Sequence, residues 1–405
     1  MLTRRRLLAA APAAALVLAA SAARAQDTVY TFSTAVDFTG PFADVMPSWH
    51  SGHRAIAAWW NATQGPRLGT RIVLKVHDMR YDTSVVAQSW PGILSSEKPV
   101  MYLGMGTPDL VALMKRLPED KVPMIMPTAM VGLVWAPDRW GYSFRPTYSQ
   151  EFAALFAHLQ QALPDKRALR IGTVSTQGRA GYEDQVKGVV HLANTYPDRF
   201  VIADQQWVDD SPVDATDQIR RMASHQPDII MIGATTAQVV AVARARKDLG
   251  ISVPIASSSH NGLTEAAKAI PLADLEGDFS VFAFAPYNQP GLAAADAYGK
   301  YHDGKGSWGI VAAQAAAQTL LACRVLEQAI AGTGKGAVTG QAMYDALLGH
   351  DYSETEMLGL TPTLHFDRSR PFPAGEVRAK ALTVRNGAIV PLTADWMPAP
   401  ALTKW

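Results

Sequence analysis

The chain reads as an α/β protein whose parallel sheets form two lobes. Apolar runs of five to eight residues alternate with segments of helical period along most of its length. Strands that alternate with helices wind into parallel sheets covered on both faces. The alternation comes in two runs, broken near Tyr142–Tyr148, YSFRPTY. The residues just past the strands are small, neutral and hydroxyl-bearing in both runs, which suits a polar cleft shared between two sheets.

In order, Val29–Phe38 is a predicted strand and Ser51–Asn61 a helix. Arg71–His77 is a strand, and a helical stretch from Thr83 is expected to be interrupted at Pro91. Val100–Gly104 is a strand, Pro108–Leu117 a helix and Pro123–Pro127 a short strand. The second run starts with helix Ser149–Leu163, then strand Leu169–Val174 and helix Tyr182–Thr195. Strand Phe200–Val208, helix Ala215–Ser224, strand Asp228–Ile232, helix Ala237–Leu249 and strand Val253–Ala256 complete it. Near Gly277 the run ends, and GDFSVFAFAPY returns the chain elsewhere, before the long apolar helix Ile310–Ala331. The lobes are therefore expected to be discontinuous: 26–147 plus 280–377, and 148–279 plus 378–405.

The first residues, MLTRRRLLAAAPAAALVLAASAARAQ, have a basic start, an apolar run and a small-residue end. Ala23-Arg24-Ala25 is an A-x-A cleavage site, so residues 1–25 read as an export signal. The apolar run is too short to span a membrane. The arginines at 4, 5 and 6 suit the Sec route and the twin-arginine route alike. Removing this segment takes away four arginines and no acid, so the formal charge falls from +1 to −3. A weakly acidic chain without basic runs is not built for nucleic acid or membrane surfaces. Cys323 is the only cysteine. It cannot form a disulfide within the chain, and its apolar helical setting makes it a buried, inert thiol.

At the strand ends stand Asp37-Phe38-Thr39-Gly40-Pro41, Met105-Gly106-Thr107, Pro127-Thr128-Ala129, Ser175-Thr176-Gln177, Ala234-Thr235-Thr236 and Ser257-Ser258-Ser259-His260-Asn261. Each hydroxyl taken alone is an ordinary helix cap. Six such ends on two lobes point to a cleft that holds a small molecule. Trp49 precedes a helix and can reach the cleft mouth, whereas the adjacent Trp59 and Trp60 face different sides and place at least one ring in the core.

Other constellations fall short of chemistry. Gly104-Met105-Gly106 lacks the third glycine of a dinucleotide site, where Asp109 stands. His50 and His53 share a helix face without a third metal ligand near them. The serines before His260 are not in a G-x-S-x-G elbow, and the sequence shows no base with an orienting partner. No catalytic residue, cofactor or metal is expected.

The segments FTGPFADVMPSWHSGHRAIAAWWN, VPMIMPTA and DIIMIGATTAQVVAVARARKDLG followed by VPIASSS resemble the type I periplasmic binding proteins. The likeness is to the leucine/isoleucine/valine-binding branch of ABC-importer receptors. It covers nearly the whole chain after the signal. It implies two Rossmann-like lobes, a three-crossover hinge and closure on the ligand. It places Thr107 and its loop neighbours at the ligand carboxylate, Thr128 in the adjoining loop and Thr235 in the second lobe's wall. Met130 falls where amino-acid binders often have a hydroxyl, Gln177 where they often have an aromatic residue, and His260 where they place an acid for the ligand ammonium. A carboxylate or amide without a free α-ammonium is thus the expected ligand, held by His260 as a neutral acceptor or as an imidazolium, while Asp37 on the opposite lobe could supply the charge an amino acid's ammonium needs. The expected protein is a monomeric periplasmic receptor for an amino acid or related molecule, working with an ABC permease complex. A sensory receptor and a secreted α/β enzyme are the alternatives.

Overall fold

The computed structural model describes residues 27–127 and 140–405. The export signal, Thr128 and Met130 lie outside the described residues.

The first sheet is built from β1 (Thr28–Val36), β2 (Thr70–Asp78), β3 (Met101–Leu103), β4 (Met124–Met126) and β5 (Gly141–Ser143), in the order β2-β1-β3-β4-β5. All its pairings are parallel. The second sheet holds β6 (Leu169–Ser175), β7 (Phe200–Trp207), β8 (Ile229–Ile232), β9 (Ile255–Ser257), β10 (Phe279–Phe282), β11 (Arg378–Arg385) and β12 (Ala388–Pro391), with β13 (Met397–Pro398) paired to β11. From β7 through β10 the pairing is parallel; β11 joins β10 antiparallel. Phe279–Phe282 is therefore still part of the second sheet, and the chain leaves it only afterwards.

Three crossovers connect the sheets: after β5, after β10 and before β11. At the first, Arg145 is fully buried against Glu151, which also accepts the Ala283 N–H of the second crossover at 2.8 Å. The two strands are thus clamped to each other.

Helix Ile310–Thr333 is long and apolar enough to cross a membrane, but 94% of its most apolar stretch is buried inside the protein, so it is a core helix. It packs on helix Met46–Thr63 and on β3 and β4. Its Gln318 is wholly buried; the side-chain N–H groups donate to the carbonyls of Gly104 and Ile125, each at 2.7 Å. Cys323 is buried on the same helix, and burial pushes its thiol pKa well up.

Pro91 does not interrupt its helix, which runs unbroken over Thr83–Glu97. Asp82 caps the start by accepting from Ser84 N at 2.7 Å. Trp90, almost fully buried, ties the far turn to Asp120 through its indole N–H at 2.8 Å. Tertiary anchoring offsets the local cost of the proline.

Candidate functional site

Both sheets point their carboxyl ends at a cavity of about 50 Å³. In the orders β2-β1-β3 and β7-β6-β8 the winding reverses direction beside β1 and beside β6, which is where an open α/β sheet forms a crevice.

The first lobe supplies its walls through three strand-end loops. After β1, the Asp37 carboxylate accepts from Phe42 N at 2.8 Å and folds the loop so that Phe42 enters the cavity. The same turn leads into helix Met46–Thr63, which carries Met46 and Trp49. After β2, Tyr81 sits in a left-handed backbone conformation at φ 51° and turns its ring onto Phe42, 4.8 Å between centroids. After β3, Asp109 reaches back from the following turn. Its Oδ2 accepts from Met105 N and Gly106 N, each at 3.0 Å, and its Oδ1 accepts from Tyr102 OH at 2.6 Å. Two of the loop's backbone N–H groups, those of Met105 and Gly106 just before Thr107, are thus taken by the protein's own carboxyl group.

The second lobe contributes Tyr148, Tyr182, Gln185 and His260. Tyr148 opens helix Tyr148–Ala162, which Thr147 and Gln150 cap reciprocally. Tyr182 and Gln185 lie one turn apart on helix Ala180–Thr195. Val311 and Gln314, from helix Ile310–Thr333, close the floor.

The lobes touch over this space. Val36, Phe42, Met46 and Trp49 of the first lobe form one buried cluster with Tyr182 and Ala234 of the second. The Tyr81 and Tyr182 rings face each other across the lobes, 14° from parallel. Gly181 comes so close to Thr107 that a Cβ there would lie 2.4 Å from the Thr107 hydroxyl.

His260 is the polar centre of the second wall. Its Nε2 contacts the Ala234 carbonyl at 2.6 Å; a carbonyl only accepts, so Nε2 carries the proton and Nδ1 is a bare acceptor. The ring packs against Tyr148 at 4.9 Å and Phe42 at 5.8 Å. Burial, with the Arg145 charge nearby, pulls its pKa down to about 3. His260 is thus neutral at physiological pH. The imidazolium expected as an anion's partner is not available there, because an apolar, aromatic setting disfavours the charged ring.

Of the residues singled out in the sequence, Thr107, Trp49 and His260 line this cavity. Thr235 does not. It caps helix Thr236–Asp248 by accepting from Gln238 N at 3.3 Å, donates to the Asp210 carbonyl, and faces a separate groove with Gly40, Pro41 and Asp44. Gln177 is exposed, on an outer groove of the second lobe beside Glu183 and Trp207. The aromatic wall of Phe42, Tyr81, Tyr148 and Tyr182 escaped sequence reading. Its only signal was an aromatic residue within a few positions of each strand end or helix start. His50 and His53 are buried without any metal-type cluster among the described residues.

The two-lobed α/β frame with a cavity between the strand ends is the architecture of the type I periplasmic binding proteins. The periplasmic binding protein family matches residues 30–369, and the chain belongs to that family. No curated protein matches it by sequence. Solved structures share the fold at low identity. One is described as a branched-chain amino acid ABC transporter protein from Thermus thermophilus with bound valine: 17% identity, TM-score 0.76, covering 93% of this chain and 97% of that one. Another is an ABC transporter substrate-binding protein from Aeropyrum pernix, at 16% identity and TM-score 0.79, with 93% and 97% covered. A third is a fatty acid ABC transporter substrate-binding protein from Thermomonospora curvata, at 19% identity and TM-score 0.74, with 92% of each chain covered.

Proposed function

We propose that the protein is an exported solute receptor of an ABC importer. It captures a small molecule between its lobes and delivers it to a permease complex in the inner membrane. One observation carries this reading: a cavity at the carboxyl ends of both sheets, walled by side chains from both lobes. The similar structures described as ABC transporter binding proteins support the transport assignment. Residues 1–25, cleaved after Ala25, would route the chain to the periplasm, where it acts as a monomer.

Binding without turnover is the expected behaviour. A ligand that binds only the folded chain raises its melting temperature by mass action. Closure on that ligand shifts an open–closed equilibrium and lowers the radius of gyration. A thermal-shift screen of amino acids, carboxylates, amides and phenols, followed by small-angle scattering on the hits, tests both points. A ligand recovered chemically changed would overturn the receptor reading in favour of an enzyme. An unchanged radius at saturation would overturn closure.

A further inference from the structure

The polar atoms left over inside the cavity say what a ligand must bring. Trp49, Tyr182, Gln185 and Gln314 are each at most 5% exposed. The Trp49 indole N–H, the Tyr182 hydroxyl, Gln185 Oε1, Gln314 Oε1 and His260 Nδ1 have no hydrogen-bond partner among the described residues. The orientation of Gln314 is set by its N–H group, which donates to the Pro127 carbonyl at 3.1 Å. That of His260 is set by Ala234. Three of the five atoms are pure acceptors, one is a pure donor and the Tyr182 hydroxyl is either. Buried polar groups are normally satisfied, so five unpaired atoms around one space mark a recognition set.

Charge is scarce in this wall. Among the described lining residues there is no lysine or arginine, and the only carboxylate is Asp184, which already accepts from the Trp405 indole at 3.1 Å. The nearby Arg145 is committed to Glu151 and Ser259. Asp109 occupies the Met105 and Gly106 N–H groups of the β3 loop. A ligand carboxylate would meet three acceptors and no cation, and a buried charge without a partner is strongly unfavourable. Among the described lining residues the hydroxyls of Thr107 and Ser149 add neutral polarity, and rings and hydrocarbon make up much of the remaining wall: Phe42, Tyr81, Tyr148, Met46, Met105 and Val311. Aromatic walls favour an aromatic guest beyond simple area burial.

We propose that the cavity selects a neutral, single-ring aromatic solute rich in N–H or O–H donors, an aromatic carboxamide or phenol, over zwitterionic amino acids and free carboxylates. This assignment rests on the receptor reading above. The donors meet Gln185 Oε1, Gln314 Oε1 and His260 Nδ1; the ligand's oxygen accepts from Trp49 or Tyr182. Benzene fits a cavity of roughly 150 Å³, so the lobes part slightly around one ring, and a larger guest would hold them open.

The test is calorimetric titration at neutral pH with 4-hydroxybenzamide, benzamide and phenol, against benzoate, 4-hydroxybenzoate, L-phenylalanine and L-leucine. At least one neutral aromatic should bind ten times or more tighter than every charged probe. Gln185→Met, which keeps side-chain length and removes the acceptor, should weaken that binding about tenfold at unchanged melting temperature. Leucine or benzoate as the tightest probe would overturn the ligand class and leave the receptor reading standing. So would leucine binding abolished by Asp184→Asn, because it would make Asp184 an ammonium partner. Absence of binding by all three neutral probes overturns the class whatever the charged probes do.

Discussion

The substitution Gly181→Ala isolates closure from folding. Gly181 lies in the first turn of helix Ala180–Thr195 with ordinary helical backbone, so alanine is locally favourable there by up to about 1 kcal/mol. Across the cleft, the new Cβ would stand 2.4 Å from the Thr107 hydroxyl and 3.3 Å from its Cβ. Ordinary carbon contacts begin near 3.5 Å, so the lobes must part by roughly 1 Å or Thr107 must leave its rotamer. Overpacking of this kind costs about 1–3 kcal/mol. Here that cost falls on the closed state alone. Ligand affinity should therefore drop by roughly fivefold to a hundredfold, while stability of the unliganded protein holds or rises. Calorimetry measures the first and urea unfolding the second. Scattering of the saturated variant should show a larger radius than the saturated parent. Adding Thr107→Ala, which removes the hydroxyl in the way, should recover part of the loss. Parent-like affinity and radius in Gly181→Ala would refute the claim that this contact belongs to the closed form.

Other outcomes follow from buried polar groups. Gln318→Met removes the acceptor of the His53 Nε2–H, 3.1 Å away, and the donor to the Gly104 carbonyl, leaving two buried groups unpaired; the expected loss is about 3 kcal/mol in urea unfolding, and a loss below 1 kcal/mol would show that the network is not needed. Burial lowers the His53 pKa to about 3, so the unfolded chain binds the proton first and stability should fall as pH drops below about 6.5; His53→Gln should flatten that limb of the unfolding curve. Desolvation lifts Asp37 to about 6; its folded form holds the proton to higher pH than the unfolded chain, so this contribution is lost as pH rises from about 4 through 6, and Asp37→Asn should reduce that slope. Since His260 is already neutral, affinity for an uncharged ligand should stay within about twofold between pH 5.5 and 8; a fall on passing through 6 to 7 would show that the imidazolium takes part.

Much of the fold was legible because it is written in local periodicity. β8, Ile229–Ile232, is an unbroken apolar run, as a strand buried on both faces must be. The helices that follow strand ends start at residues whose side chains cap them, such as Thr235 and Asp82. The same local logic explains where reading failed. Thr235 is a cap and nothing in its neighbourhood of sequence distinguishes a cap that faces a cleft from one that does not. Pro91 is a strong local breaker, overruled by Trp90 and Asp120, thirty positions apart.

What the sequence determined alone was therefore the alternation of strand and helix and the division into two runs. Each of these depends on neighbours within a few residues, through backbone sterics, capping and the period of apolar side chains. The character of the site was decided only by tertiary structure. Asp109 fills the β3 loop, His260 is stripped of its charge by surrounding rings, and Phe42, Tyr81, Tyr148 and Tyr182 converge from four separate elements on one small space. Desolvation and ring packing are sums over everything that surrounds a group, and those surroundings exist only once the two lobes meet.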